Sequence, residues 1–162
     1  MATAFKYSWP WLLAGLWLVL DQATKWLVVA RIPPREAVAV VPGFLDLVHV
    51  HNYGVAFGLL NSAPGWQVPV FAAVSLVVMG VIGVWLYRLG PTMPLMRLAL
   101  GLLLGGAAGN LLDRVRLGYV VDFVDVHWRG VYHYPAFNVA DAGITAAALL
   151  LAWLLIREER AA

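Results

Sequence analysis

The segment "PAFNVADAGITAAALLLAWLL", residues 135–155, decides the fold class of this chain. It is a mainly apolar run of about the 20 residues that a helix needs to cross a bilayer. Asp141 nevertheless lies near its start. A carboxylate at the bilayer centre costs roughly 2.5 kcal/mol or more, and ionisable residues within membrane segments are commonly functional. The segment therefore predicts a membrane protein with a functional carboxylate at one membrane edge.

The composition agrees with a single integral membrane domain over residues 1–162. Hydrophobic residues make up 62% of the chain and charged residues only 12%, whereas soluble domains have about 25% charged residues. The chain has no cysteine, which excludes disulfides and thiol chemistry. The net charge is +2 and the basic residues are scattered, so nucleic acid is not an expected partner.

Four segments are long and apolar enough to span a membrane. They are residues 9–30, 68–89, 95–112 and 139–156. The first is read as a retained helix, because its apolar run is long for a secretory signal and "DQATKW" replaces a cleavage site. The predicted fold is an all-α membrane protein with four transmembrane helices and a small β-rich extracytoplasmic cap after the first helix.

Polar residues collect at one end of these spans. They are Asp21 and Lys25 in the first span, Asn110, Asp113 and Arg114 at the end of the third, and Asn138 and Asp141 at the start of the fourth. In a chain that alternates direction, all of them fall on the same side of the membrane. Their i, i+3 and i+4 spacings place each set on one helix face, so the faces can converge.

The charge balance gives a weak prediction of orientation. Five basic residues fall on the side of the termini and four on the polar side, outside the spans. Because basic residues favour the cytoplasm, the balance leans towards cytoplasmic termini and an outward-facing polar side.

The loop after the first span is predicted to form strands. "VAVVPGFLDLVHVHNYGVAFG", residues 38–58, is rich in β-branched residues. Regular alternation would put Asp46, Val48, Val50 and Asn52 on one face. Such a strand either offers its backbone to an extended peptide or packs as a cap on the helices.

In the third span, "GLLLGGAAG", residues 101–109, has two GxxxG spacings and predicts close helix packing.

Two kinds of chemistry are considered for the polar side. His49 and His51 form an H-x-H that could bind a metal with Asp46 or His127, but no other metal-ligand spacing is present. The stronger hypothesis is a pair of carboxylates that share one proton and activate water. Asp141 is one member, and spacing alone leaves Asp122 and Asp125 as candidates for the other.

Four blocks carry a resemblance to a known family. "LVLDQATKWLV", "HNYGVAFG", "GGAAGNLLDRVRLGYVVDFVDVHW" and "PAFNVADAGI" together resemble the lipoprotein signal peptidases of bacteria, also called signal peptidase II. The resemblance covers nearly the whole chain. It implies a four-helix aspartic peptidase of the cytoplasmic membrane, with its site on the periplasmic side. Its substrates would be prolipoproteins, cleaved before a cysteine that already carries diacylglycerol.

The resemblance also implies roles for individual residues. It favours Asp122 over Asp125 as the catalytic partner of Asp141, and it expects Asp113 to support Arg114. Residues expected to bind substrate are Asn52, Gly54, Asn110, Arg114, Asn138, Asp21 and Lys25.

No metal or other cofactor is expected, so activity should survive EDTA. The resemblance implies prolipoproteins and membrane lipid as partners and globomycin as an inhibitor, and a monomeric enzyme is expected. Two alternatives stay open without the resemblance. One is a small proton-coupled transporter, because such proteins use intramembrane acids paired with basic residues. The other is an assembly factor whose ion pairs are only structural.

Overall fold

The computed structural model describes residues 2–54 and 65–159 of the chain. Its helices are α1 (Ala2–Arg31), α2 (Gln67–Arg88), α3 (Pro94–Leu117) and α4 (Val139–Glu159). Its strands are β1 (Ala37–Val41), β2 (Leu45–Asn52), β3 (Val120–Trp128) and β4 (Tyr132–His133). Part of the loop predicted as strand, residues 55–58, lies outside the described residues.

All four helices are long and apolar enough to cross a membrane, which confirms the predicted spans. The qualifying stretches are Ser8–Arg31, Gln67–Arg88, Pro94–Leu117 and Val139–Arg157. The third span is longer than predicted, since α3 continues from residue 112 to Leu117 and ends at Gly118, whose φ is 78°. A positive φ is readily adopted by glycine, so Gly118 provides the stop that lets the chain turn into β3.

Helix α3 packs against each of the other three helices, and its glycines explain how. A Cβ atom on Gly101 would lie 2.8 Å from the backbone oxygen of Pro10 in α1, and one on Gly105 would lie 2.6 Å from that of Ala14. Gly106 faces Ala140 of α4 in the same way. Small residues allow helix backbones to approach this closely in membranes. The packing role predicted for the glycine-rich stretch is therefore confirmed.

The sheet draws on two loops rather than one. Its strand order is β1-β2-β3-β4, and all pairs are antiparallel. The prediction placed the cap only after the first helix and did not identify β3. Strand β3 has buried residues on both faces at its start, so it lacks the alternation that marks a half-buried strand. Strand β2 pairs with β3 along most of its length and with β1 over residues 45–48, so residues 45–48 are part of a cap and are not free for peptide addition.

A one-residue irregularity in β2 changes which residues share a face. Asp46 pairs with Asp125, but beyond a register shift between Leu47 and Val50 the partner of Val50 is Asp122. Opposed residues of an antiparallel pair lie on the same face, and an extra residue reverses the alternation. The prediction that Asp46 and Asn52 share a face is therefore wrong. Asn52 lies on the face that carries Asp122.

The sheet is fixed to the helices by a small apolar cluster. Val28 and Ile32, at the end of α1, pack with Phe123 of β3, and all three are buried. His49 strengthens the same junction, because its Nδ1 lies 2.7 Å from the backbone oxygen of Ile32. The start of β3 is thereby held over the ends of the helices.

We expect Gly105→Ala to destabilise the fold by about 1–3 kcal/mol, the usual cost of overpacking, because its Cβ would meet the α1 backbone. Gly80→Ala is the matched control, since no atom lies within 4 Å of a Cβ at that position. Thermal unfolding in detergent micelles measures both. Equal stability of the two variants would contradict the close α1–α3 packing.

Candidate active site

Asp122 and Asp141 line the same cavity, which has a volume of about 460 Å³. Asp122 lies near the start of β3 and Asp141 near the start of α4. The cavity's other polar lining residues are Asn52, Asn110, Arg114, Tyr134 and Thr145, and Val120 also lines it. Apolar residues of α4 and of the segment 134–137 form the remaining wall. The predicted pair of carboxylates is thus brought to one cavity at the ends of the membrane helices.

Asp141 is held by the helix cap that starts α4. The side chain of Asn138 accepts a hydrogen bond from the Asp141 backbone N–H at 2.9 Å. In return, the Asp141 carboxylate accepts the Asn138 backbone N–H at 3.3 Å. This reciprocal pattern is that of a capping box, with Asn138 at N-cap and Asp141 three residues later. It satisfies helix N–H groups that would otherwise lack partners and fixes the position of the Asp141 side chain.

Asp122 is held by two asparagines. Asn138 donates to its Oδ1 at 2.7 Å, and Asn52 donates to its Oδ2 at 2.9 Å. The reversed alternation of β2 therefore positions Asn52 for this contact. Asp122 is only 2% exposed. Burial, followed by the negative charge of Asp141, raises the pKa of Asp122 to about 7.

Asn110 completes the link between the two carboxylates. Its Nδ2 donates to Asp141 at 2.8 Å, and its Oδ1 accepts from Asn138 at 3.2 Å. Asn138 contacts both Asp122 and Asp141, so the amide side chains join the pair in one network. Each asparagine uses both of its polar ends in this network or in its backbone contacts, which fixes the amide orientation.

Arg114 lines the cavity beside the pair. Its guanidinium donates to the backbone oxygens of Asn110 and Gly54, both at 3.2 Å, and lies 5.7 Å from the Phe71 ring centroid. Asp113, which is expected to support Arg114, makes its hydrogen bonds and its ion pair with other residues. The Asp113 carboxylate accepts hydrogen bonds from Gln22 and from the Val121 backbone, and it pairs with Lys25.

Four residues predicted to bind substrate are buried and do not line the cavity. They are Asp21, Lys25, Gly54 and Asn138. Asp21 has no exposed surface and Lys25 is 3% exposed. Gly54 supports Arg114, and Asn138 supports the carboxylates. Their contacts place these residues behind the cavity, as supports of its lining.

The residues considered as metal ligands form two separate pairs, of which the first is His49 with His51, whose Nε2 atoms lie 3.2 Å apart. His49 faces the end of α1, and His51 stacks on Tyr119 with ring centroids 3.9 Å apart. His127 faces Asp46 at 3.3 Å. Within residues 2–54 and 65–159, no group of three or more His, Cys, Asp or Glu side chains is placed to hold a metal ion.

Sequence reasoning missed two parts of the site. Gln22 donates to Asp21, Asp113 and the Gly109 backbone oxygen at 2.9–3.2 Å. Its position beside Asp21 in "DQATKW" was the available signal. The segment 134–137 lines the cavity, and Phe137 bonds to the β3 backbone. Its apolar composition alone did not distinguish it from an ordinary connection.

Comparison with known proteins shows the family to which the chain belongs. A family model described as signal peptidase (SPase) II matches residues 13–157. The chain belongs to the signal peptidase II family. It is therefore a peptidase, and the family resemblance is confirmed.

Individual relatives cover most of the chain. A lipoprotein signal peptidase of Ectopseudomonas mendocina is 45% identical over 154 residues, covering 94% of this chain and 91% of that protein. One from Acinetobacter baumannii is 44% identical over 148 residues, covering 91% and 83%. A bacterial membrane enzyme solved by the in meso method at 2.3 Å resolution has a TM-score of 0.82 and 28% identity, covering 93% of this chain and 88% of that one.

These findings confirm the predicted fold class and a multi-pass membrane protein. They give no support to the transporter alternative. The catalytic type and the roles of individual residues go beyond the comparisons and depend on the geometry of the site.

The raised pKa of Asp122 predicts a pH dependence of stability. Between its ordinary value of 3.8 and about 7, the folded protein keeps a proton that the unfolded chain has released. The free energy of unfolding should therefore fall across this interval, by up to about 4 kcal/mol relative to Asp122→Asn, and stay level above it. Thermal unfolding of both proteins from pH 4 to pH 8 measures the difference. A wild-type advantage that grows with pH would contradict the assignment.

Proposed function

We propose that the chain is an aspartic endopeptidase that removes the signal peptide from prolipoproteins. The observation that carries this proposal is the pair of carboxylates, buried Asp122 and half-buried Asp141, at one cavity and joined through Asn138. The relatives named as lipoprotein signal peptidases support the substrate class. Cleavage before the diacylglyceryl-modified cysteine is part of the same proposal.

Catalysis requires the pair to hold one proton between them. The pKa of about 7 for Asp122, caused first by burial and then by Asp141, supports retention of that proton near neutral pH. The ionised carboxylate removes a proton from water while the water oxygen attacks the scissile carbonyl carbon. The protonated carboxyl donates its proton to the carbonyl oxygen. Collapse of the tetrahedral intermediate then breaks the C–N bond: the leaving nitrogen takes the proton that the first carboxylate removed from water, and the second carboxylate recovers its proton from the hydroxyl as the carbonyl re-forms.

The cavity suits a substrate that is anchored in the membrane. Asp141 lies at the start of α4 with Asp122 beside it, and most of the α4 residues that follow in the wall, such as Ile144 and Leu149, are apolar. A lipid-modified cysteine would place its peptide bond at the membrane surface and its acyl chains below. This geometry supports an active site at the bilayer edge, where a water nucleophile is still available.

Orientation and inhibition complete the proposal. We place the site on the periplasmic face of the cytoplasmic membrane, with both termini in the cytoplasm, in agreement with the weak charge bias. Globomycin should compete for the cavity, because it is expected to inhibit members of this family. We also propose that the enzyme acts as a monomer without a metal.

We expect Asp122→Asn and Asp141→Asn each to abolish cleavage of a lipidated precursor, because one group activates water and the other protonates the carbonyl in the same step. Groups that act as a unit are not additive, so the double variant should be no worse than either single one. Release of signal peptide by purified protein in detergent is the measurement.

Asp125→Asn is the matched control for this experiment. Asp125 pairs with Asp46 in the sheet register and with His133 at 2.8 Å, so it lies on the other face of β3. It should retain most activity. Cleavage by both Asp122→Asn and Asp141→Asn would exclude an aspartic mechanism.

We expect Arg114→Lys to recover little of the activity lost in Arg114→Ala. The guanidinium donates to two backbone oxygens at once, and a lysine cannot reproduce this planar geometry. Initial rates measured with the lipidated precursor test both variants, and membrane extracts check their insertion. Full activity of Arg114→Lys would show that only the charge is needed.

A further inference from the structure

A buried ion cluster lies behind the Asp122–Asp141 pair. Lys25 Nζ lies 2.9 Å from a carboxylate oxygen of Asp21 and 2.9 Å from one of Asp113. All three residues are at most 3% exposed. Gln22 also donates to both carboxylates, at 3.2 and 2.9 Å. The two acids are thus bridged once by an ammonium and once by a neutral amide.

Each bridged carboxylate also binds the backbone next to a member of the pair. Asp21 accepts the N–H of Ala140 at 2.8 Å, and Ala140 directly precedes Asp141. Asp113 accepts the N–H of Val121 at 3.1 Å, and Val121 directly precedes Asp122. One ammonium therefore connects, through one carboxylate on each side, the two backbone segments that carry the pair.

The third donor of the ammonium reaches the pair by another route. Lys25 Nζ donates to Oδ1 of Asn110 at 3.0 Å. This contact sets the orientation of the Asn110 amide, so that its Nδ2 points to Asp141 at 2.8 Å. A lysine ammonium has three N–H donors. Here they bind Asp21, Asp113 and Asn110, and each of these acceptors contacts Asp141 itself or the backbone beside Asp122 or Asp141.

We propose that Lys25 is a positioning residue, which sets the separation and orientation of Asp122 and Asp141 through Asp21, Asp113 and Asn110. This inference deepens the proposed function and rests on it. Lys25 is buried and does not line the cavity, so it acts without touching the substrate. In this proposal Asp21 and Lys25 support the pair from behind, whereas the sequence predicted that they bind substrate.

The first test is Lys25→Met, which removes the ammonium and keeps an apolar stem of similar length. We expect kcat to fall about 100-fold, since misplacement of catalytic groups by about 1 Å has this effect, while KM stays near the wild-type value. A second readout is the pH profile. Burial dominates the pKa of Asp122, but the charge of Lys25 lowers it, so the alkaline limb of kcat should move to higher pH in the variant.

A readout that does not depend on activity is hydrogen exchange of single amides. In Lys25→Met the amides of Val121 and Ala140 should exchange faster, because their acceptors lose the bridging cation. The amide of Val124, which donates to Phe137 at 2.8 Å, should be unchanged. Arg116→Met is the matched control for loss of a positive charge, because Arg116 is exposed near the end of α3. It should leave kcat and these amides unaffected.

Lys25→Met leaves two buried acids without their cation and can prevent folding. The second variant, Lys25→Met with Asp113→Asn, removes one charge of each sign and keeps the buried net charge unchanged. It should fold and still show a low kcat with faster exchange at Ala140. A wild-type kcat in this variant would overturn the proposal, because it would show that Lys25 only balances the buried negative charge.

Other results would also overturn it. A raised KM with an unchanged kcat would make Lys25 a substrate contact, and full activity per folded molecule of Lys25→Met would make it merely structural. If Asp122→Asn cleaves as wild type does, the proposed function fails. The exchange of Val121 and Ala140 then still decides whether Lys25 holds these two segments.

Discussion

The first N–H groups of α4 need hydrogen-bond acceptors at a membrane edge, and this need shapes the site. A helix leaves its first four N–H groups without partners inside the helix, and a membrane interior supplies none. Here Asn138 and Asp21 accept the N–H groups of Asp141 and Ala140, and the Asp141 carboxylate accepts that of Asn138. Asp141 belongs to the same cap, so helix formation and placement of the carboxylate are a single event.

Close approach of the helices makes this cap possible. Asp21 belongs to α1, and it reaches α4 only because Gly109 of α3 has no side chain beside it; a Cβ there would overlap the Asp21 carboxylate. Gly106 allows the same approach between α3 and α4. Trp17 adds a further bond from α1 to the backbone oxygen of Val139 at 3.0 Å. The glycines therefore contribute to the site indirectly, by bringing polar groups of three helices within hydrogen-bond distance.

The sequence predicted the features that depend on local pattern. Apolar length gave the four spans, and their alternating direction placed Asp21, Lys25, Asn110 and Asp141 at one end. Strand β3 was not predicted, because its first residues are all buried and show no alternation of buried and exposed positions. The spacing of Asp122 and Asp125 could not decide between them, because their difference is one of strand face. That difference depends on pairing with β2, which a single sequence does not encode locally.

The two carboxylates come from unlike elements, a helix start and a strand, and this origin explains the amount of buried polar structure. Neither α4 nor β3 alone fixes the separation of Asp122 and Asp141. Small movements of the sheet on the helices would change it, and the apolar contact of Phe123 with Val28 and Ile32 resists only coarse displacement. Hydrogen bonds are directional and sensitive to distance. A network of asparagines and buried ions that is hydrogen-bonded to both β3 and α4 is therefore a suitable way to fix the distance between a strand residue and a helix residue at the edge of a membrane.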